Sequence, residues 1–212
     1  MASLMLGVLV LGNLPSRLTA QGGLRFDSVD YKNVLRWTAP LSNTSLNYSV
    51  EWKIYGESLW GEAQGCQGIQ RLQCDLSKAT SNTREWYYAR VHASSVLPAS
   101  RSAWSLSRRF SPRWDTKMSP PKLNMSITEE GIVVRLTPPP ALVKKLHKKL
   151  CCSIHVLHSS GQEDKYEKRS CTEQLVLDQL SAGTRYCVQA QCVVCLQGKS
   201  STRGPPTCAT TP

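Results

Sequence analysis

The chain has 212 residues and a formal net charge of +11, and its length suits one large or two small domains. So basic a surface favours polyanions, which outside the cell are sulfated glycans or acidic proteins rather than nucleic acid. Solubility is the alternative role for the charge. The sequence holds no serine nucleophile elbow, phosphate-binding loop, zinc-protease helix or dinucleotide fingerprint, so we predict no enzyme, no cofactor and no catalytic residue.

Residues 1–20 have the pattern of a secretory signal peptide, with an apolar run from Leu4 to Leu11 and small residues ending at Ala20. The pattern departs from the usual one because no Lys or Arg precedes the run. An uncleaved anchor is the alternative, but a membrane helix needs about 20 apolar residues. We therefore expect a secreted, extracellular product without a membrane span.

Nine cysteines agree with export, since disulfides persist in oxidising compartments. Three glycosylation sequons agree with it as well, at Asn43, Asn47 and Asn124. We expect the sugar chains there, although Asn43 and Asn47 are close enough that both need not be occupied.

Residues 21–110 alternate apolar and polar positions in short segments, which predicts a first all-β domain. The inward residues of two strands are Leu35, Trp37, Tyr48, Val50, Trp52 and Ile54. Tyr55 and Gly56 follow where the second of these strands must turn. An aromatic ring at such a tip is exposed, so Tyr55 is either a binding anchor or a cap on the sheet end.

A cysteine pair and a second patterned strand follow in the same domain. Cys66 and Cys74 are spaced for a local disulfide, with a metal pair as the alternative. The strand YYARVHA directs one row inward, formed by Tyr87, Ala89, Val91 and Ala93, and directs Tyr88, Arg90 and His92 outward. We expect Trp104, on the neighbouring strand, to stack on an outward Arg as a cation–π pair.

Residues 111–120 are predicted to form a bent elbow before the second domain. Pro112, Pro120 and Pro121 remove backbone donors and fix φ, so neither a helix nor a central strand continues through them. We expect the large apolar residues Phe110, Trp114 and Met118 to pack at this elbow. A long surface loop is the alternative.

Residues 121–212 are predicted to form a second β-domain, in which Ile132, Val134 and Leu136 alternate along one strand. The segment 143–150, VKKLHKKL, could form a helical turn, but the prolines before it lead us to predict a loop. The sequence leaves three roles open for this segment. It could be a sulfated-glycan patch that binds heparan sulfate, it could be a loop that contacts a partner protein, or it could be a merely solvated run of charges.

Several motifs together resemble the ectodomains of class II cytokine receptors: KIYG at residues 53–56, the Cys66 and Cys74 pair, YYARVHA, SAWS, and RFSPRWDTK before a Pro pair. LSAGTRY at 180–186 resembles the fibronectin type III signature called a tyrosine corner. The resemblance implies an all-β fold of two fibronectin type III-like β-sandwiches joined by a bent elbow. It also implies a Cys187–Cys208 disulfide.

Five further cysteines depart from the family pattern: Cys151, Cys152, Cys171, Cys192 and Cys195. A hairpin turning near Ser160 and Gly161 would place Cys151 or Cys152 opposite Cys171. Cys192 and Cys195 could bridge each other or compete for Cys171, and an odd total leaves one thiol free or paired between chains. A zinc site with His155 and His158 is the alternative, but we predict no metal.

The resemblance also implies a function. The chain would be a decoy receptor that binds a helical cytokine of the interleukin-10 group, with interleukin-22 favoured, and withholds it from its membrane receptor. Loops of both domains would meet one face of the cytokine. The residues expected to contact it are Tyr55, Gly56, Arg84, Val96, Leu97 and Trp114. A glycan- or matrix-binding protein and a tissue-factor-like protease cofactor are the alternatives.

Overall fold

The computed structural model describes residues 23–40, 45–96, 99–137, 139–195 and 198–212. The predicted signal peptide, the sequon residue Asn43 and the expected contact residue Leu97 lie outside these ranges. The described chain divides into two compact units, one of residues 23–28 and 32–115 and the other of residues 29–31 and 116–212. Both units are built of antiparallel sheets, as the all-β prediction requires.

The first unit contains two sheets, which are ordered β1-β2-β5 and β4-β3-β6-β7, with β8 also pairing with β6. Its elements are β1 (Arg25–Val29), β2 (Lys32–Arg36), β3 (Asn47–Ile54), β4 (Gly61–Glu62), β5 (Gln73–Asp75), β6 (Tyr87–Ser95), β7 (Ser100–Arg101), β8 (Ser105–Leu106) and the short helix α1 (Pro112–Asp115). The core lies between the two sheets, and Leu35, Val50, Ala89 and Val91 have no exposed surface there. The period-two alternation therefore predicted the inward faces of β2, β3 and β6. Cys66 and Cys74 form the expected disulfide.

The outer face of the larger sheet carries a stack of aromatic rings and cations. The guanidinium of Arg90 lies 4.2 Å from the ring centroid of Trp60 and 4.3 Å from that of Trp104, and it pairs with Glu51 at 2.5 Å. The predicted cation–π pair between Trp104 and an outward Arg is confirmed. His92 is on this face but is only 6% exposed, because Trp104 covers it with 4.4 Å between ring centroids.

The second unit also contains two sheets, which are ordered β13-β10-β9 and β12-β11-β14-β15. Its elements are β9 (Lys122–Thr128), β10 (Gly131–Thr137), α2 (Ala141–Leu146), β11 (Leu150–Leu157), β12 (Glu163–Lys168), β13 (Leu175–Leu177), β14 (Arg185–Val194) and β15 (Thr207–Thr210). Ile132, Val134, Ile154 and Val188 are fully buried between the sheets. The N–H of Ser181 donates to the Tyr186 hydroxyl at 3.1 Å, which confirms the tyrosine corner.

All nine cysteines have defined states in the structure. Cys187 pairs with Cys208 as the resemblance implied, Cys152 pairs with Cys171 and Cys151 pairs with Cys195. Cys192 keeps a buried thiol. The Cys151–Cys195 bond removes one partner of the CxxC pair, and His155 and His158 hydrogen-bond to Glu163 and Asp164 at 2.7 Å. Cys195 and one ring nitrogen of each of the two histidines are thus engaged elsewhere, whereas Cys192 keeps its thiol.

The segment at 143–150 is not the loop that we predicted, because residues 141–146 form the helix α2. Val143 and His147, one helical turn apart, are both buried. Val143 belongs to a small apolar cluster with Tyr31, Met118 and Val194. The last of the preceding prolines, Pro140, is the N-cap residue of α2. Proline is tolerated at the start of a helix, so these prolines do not prevent α2 from forming.

The apolar residues at the predicted elbow have different environments. Phe110 is buried in the first unit, where its ring stacks on Phe26 with 4.1 Å between centroids. Met118 is buried in the second unit. Trp114, which we expected to pack, is 58% exposed on α1. Among the described residues, no helix has the length and apolar character that a bilayer crossing requires.

Candidate functional site

Tyr55 lies at one end of the larger sheet of the first unit, directly after β3. Its backbone N–H donates to the carbonyl oxygen of Trp86 at 2.7 Å, so the start of the turn is fixed by the neighbouring strand. Gly56 has φ of +92°, which a residue with a Cβ rarely adopts. The chain therefore turns sharply, and the Tyr55 ring is left 56% exposed.

An aromatic and cationic cluster surrounds this ring. The guanidinium of Arg109 lies 4.2 Å from the ring centroid of Trp86 and 5.4 Å from that of Tyr55. The Tyr88 ring lies 6.1 Å from Tyr55 between centroids. We call Tyr55, Trp86, Tyr88 and Arg109 the Tyr55 cluster. Stacking limits the rotamers of its side chains, so less entropy is lost when a partner binds them.

The strand pairing explains why Arg109 reaches the cluster. Phe110 and Tyr87 exchange backbone hydrogen bonds at 2.7 and 2.9 Å. This pairing holds Arg109 beside the start of β6, where Trp86 and Tyr88 flank the inward Tyr87. The cluster thus combines large apolar area with a cation, a composition typical of the energetically dominant residues in protein interfaces.

Two other predicted contact residues lie at the same end of the sheet. Arg84 is exposed on the loop that leads into β6, and the Tyr87 hydroxyl fixes this loop by donating to the carbonyl oxygen of Asn82 at 3.0 Å. Burial raises the pKa of that hydroxyl, so it stays protonated. Trp114 follows Phe110 and stacks with Arg113, whose guanidinium is 5.5 Å from the ring centroid.

The structure does not bring Val96 to this site. β3 and β6 are antiparallel, with Ile54 opposite Tyr87 at one end and Asn47 opposite Ser94 at the other. Tyr55 follows the first end and Val96 follows the second. The eight residues of β3 span roughly 25 Å at about 3.3 Å per residue. Although Val96 is 72% exposed, it cannot share one small contact patch with Tyr55.

Sequence reasoning missed three members of the cluster and one neighbour. Trp86 and Tyr88 were detectable as the outward positions on either side of Tyr87, but nothing in the sequence ties them to Tyr55. Arg109 reaches the cluster only through strand pairing. Leu59 lies four residues after Tyr55, in the loop between β3 and β4, and is 82% exposed. No periodicity marks it because this loop has no regular structure.

The predicted sequons remain predictions. Asn47 is partly exposed at the first position of β3, and Asn124 is exposed on β9. Both side chains are therefore on the surface, as a sugar acceptor must be.

Family models match both parts of the chain. Residues 1–104 match the tissue factor family, and residues 116–212 match the fibronectin type III family of the interferon-alpha/beta receptor. Human interleukin-20 receptor subunit alpha is 32% identical over 87% of this chain and 34% of its own length. Mouse interleukin-22 receptor subunit alpha-2 is 37% identical over 55% of this chain and 50% of its own length. The human form is 25% identical over 89% of this chain and 88% of its own length.

A solved structure supports the same fold. The crystal structure of the selenomethionine-substituted chicken interferon gamma receptor alpha chain superposes with a TM-score of 0.72 at 22% identity, covering 90% of this chain and 97% of that one. The chain spans about a third of the length of the interleukin-20 receptor subunits that it matches.

Proposed function

Because the chain belongs to the class II cytokine receptor family, whose members are binding proteins rather than enzymes, we propose that it binds a helical cytokine of the interleukin-10 group through the Tyr55 cluster. The observation that carries the proposal is the exposed Tyr55 ring, held in place by Arg109 and by the Trp86 backbone. An exposed but ordered aromatic ring gives contact area at a small entropic cost.

Interleukin-22 is the favoured cytokine. Relatives named as interleukin-22 receptor subunits are 36–38% identical over 55% of this chain. The relative named interleukin-22 receptor subunit alpha-2 also matches along most of both chains in its human form. Together with the signal-like N-terminus, this similarity supports a secreted decoy that withholds the cytokine from its membrane receptor. Arg84, Trp114 and Gly56 are proposed as secondary contacts around Tyr55.

The protease-cofactor alternative has less support. A family model named for tissue factor matches the first part of the chain, but the relatives that match along most of this chain are named as interleukin receptor subunits. Cytokine capture is therefore the proposed function.

Surface plasmon resonance on the purified chain tests the proposal. We expect a 1:1 complex with interleukin-22 or another member of the interleukin-10 group, and no complex with a helical cytokine of an unrelated class. Failure of every group member to bind with a Kd below about 1 μM would refute cytokine capture. The decoy role is tested separately by adding the chain to cells that respond to the bound cytokine. Binding without loss of signalling would leave a receptor role but refute the decoy.

A further inference from the structure

One end of the β12-β11-β14-β15 sheet in the second unit is strongly basic. Lys168 lies opposite Cys152 in the β12–β11 register, so Arg169 follows beside Cys151. The carbonyl oxygen of Lys149, just before β11, accepts from the N–H of Cys195 at 3.1 Å. Because neighbouring strands are about 4.8 Å apart, the backbones of Lys149, Lys168 and Arg169 lie within roughly 10 Å of one another.

The helix α2 adds cations beside the same end of the sheet. Burial of Val143 and His147 fixes the inward side of this segment. The remaining positions Lys144, Lys145 and Lys148 are therefore directed outward, and all three are exposed. Amphipathic periodicity thus concentrates the charge of the segment on one side, where the sequence analysis had predicted a loop.

A groove opens on the outer face of the sheet next to these cations. Its volume is about 530 Å³, and its charged lining residues are Lys165, Lys168, Arg169 and Glu167. Glu167 is paired with Lys165 at 2.7 Å. Ser153, Gln191 and Ser200 add hydroxyl and amide groups, and the Cys151–Cys195 disulfide lies in the same wall. The groove therefore offers net positive charge together with neutral hydrogen-bonding groups.

From this arrangement we infer that the second unit binds a sulfated polysaccharide in the groove and along the adjoining lysines. A linear chain with sulfates at regular intervals can neutralise cations that are spaced about 10 Å apart, whereas a single small anion neutralises one or two. Sugar hydroxyls can exchange hydrogen bonds with Ser153, Ser200 and the side-chain oxygen of Gln191. The choice of an extracellular glycan rests on the proposed export, and the site shares no residue with the Tyr55 cluster.

The test compares two variants of the full chain that lose equal charge. The site variant carries Lys148→Ala, Lys149→Ala, Lys168→Ala and Arg169→Ala. The control carries Lys117→Ala, Lys122→Ala, Arg135→Ala and Arg185→Ala, which are exposed cations elsewhere in the same unit. For a heparin hexasaccharide, we expect the site variant to lose affinity by at least about tenfold and the control by less than about threefold. Equal losses, or no loss in the site variant, would overturn the proposal.

A measurement on the protein without substitutions makes the test independent of whether the variants fold. Acetylation of lysines, followed by peptide mass spectrometry, should show protection of Lys148, Lys149 and Lys168 by the hexasaccharide and no protection of Lys122. Protection of all these lysines alike would contradict a defined site.

Three comparison ligands test whether the second unit recognises sulfated sugar rather than another kind of anion. Unsulfated hyaluronan, phosphatidylserine vesicles and a polyglutamate peptide should each bind more weakly than heparin at physiological salt. Tighter binding of any one of them would refute recognition of sulfated sugar. Tyr55→Ala should bind heparin normally, and the site variant should bind the cytokine normally. Failure of the glycan site is thus distinguishable from failure of cytokine capture.

Discussion

Replacement of Tyr55 by alanine is the most direct test of the proposed cytokine site. A tyrosine side chain offers about 200 Å² of surface, and 56% of Tyr55 is exposed in the free chain. A partner that covered it would remove roughly 110 Å² from water, which corresponds to about 2.8 kcal/mol at about 25 cal/mol per Å². Alanine keeps only the Cβ, so we expect Tyr55→Ala to cost at least about 2 kcal/mol of binding free energy. The dissociation constant should then rise about 30- to 100-fold.

Surface plasmon resonance with an interleukin-10-group cytokine measures this change. Two controls separate the site from the general surface. Tyr166→Ala removes an exposed tyrosine from β12 in the second unit, and Val96→Ala removes the exposed valine at the far end of the first unit's sheet. Both should change Kd by less than about threefold. A loss under about tenfold for a folded Tyr55→Ala variant would refute the anchoring role of Tyr55, and a large loss for Val96→Ala would refute the assignment of the site to one end of the sheet.

Three other predictions concern the scaffold. Gly131 has φ of +124°, and a Cβ there would collide with the carbonyl group of Leu177, so Gly131→Ala should lower the free energy of unfolding by about 3 kcal/mol or more. The control Gly161→Ala, at φ of +85° in open space, should lower it by only about 1 kcal/mol. Equal losses for the two variants in urea denaturation would contradict the steric account. Burial, and then the charge of Arg101, lowers the pKa of His92. Near pH 6.5 the unfolded chain therefore binds a proton at His92 that the folded chain does not yet bind. The contribution of His92 to the free energy of unfolding is complete above that pH and is lost as the pH falls toward the lowered pKa. His92→Gln should flatten this slope in denaturation curves at several pH values, and an unchanged slope would show that other groups cause it. Finally, the sulfur atoms of Cys152, Cys171 and Cys192 lie within 4.8 Å of one another, and burial raises the pKa of Cys192. At alkaline pH its thiolate should attack Cys152, form a Cys152–Cys192 disulfide and release Cys171 as a thiolate. Non-reducing peptide mapping should detect that bond in the native chain and not in Cys192→Ala, and its absence after prolonged alkaline incubation would refute the exchange.

The composition of the Tyr55 cluster shows which parts of a site a linear pattern can reveal. Tyr55 and Gly56 were identifiable because a period-two strand ended at an aromatic residue followed by glycine. That reasoning is local, since it depends on the geometry of consecutive residues. Arg109 lies more than fifty positions away in sequence and reaches the ring only because Phe110 pairs with Tyr87. Val96 was grouped with Tyr55 by resemblance, whereas the antiparallel register places it at the other end.

The cysteines show the same limit in covalent form. Cys66 and Cys74 are close in sequence, and their local spacing was enough to predict the bond. The pairs Cys151–Cys195 and Cys152–Cys171 depend on the register of β11 with its neighbouring strands, so the sequence allowed several arrangements. Only the register shows that Cys192 faces the Cys152–Cys171 disulfide and keeps its thiol.

The sequence by itself determined the inward and outward faces of the strands, the sharp turn at Gly56, the tyrosine corner and the basic character of the surface, because each depends on neighbouring residues and the period of the backbone. The tertiary structure decided the rest. Strand register brought Arg109 and Trp86 to Tyr55 and carried Val96 away from it, and burial of Val143 and His147 turned an ambiguous lysine-rich segment into a helix with one charged face. Such groupings join residues far apart in the chain, and their positions follow from which strands pair and which faces pack, neither of which local periodicity encodes.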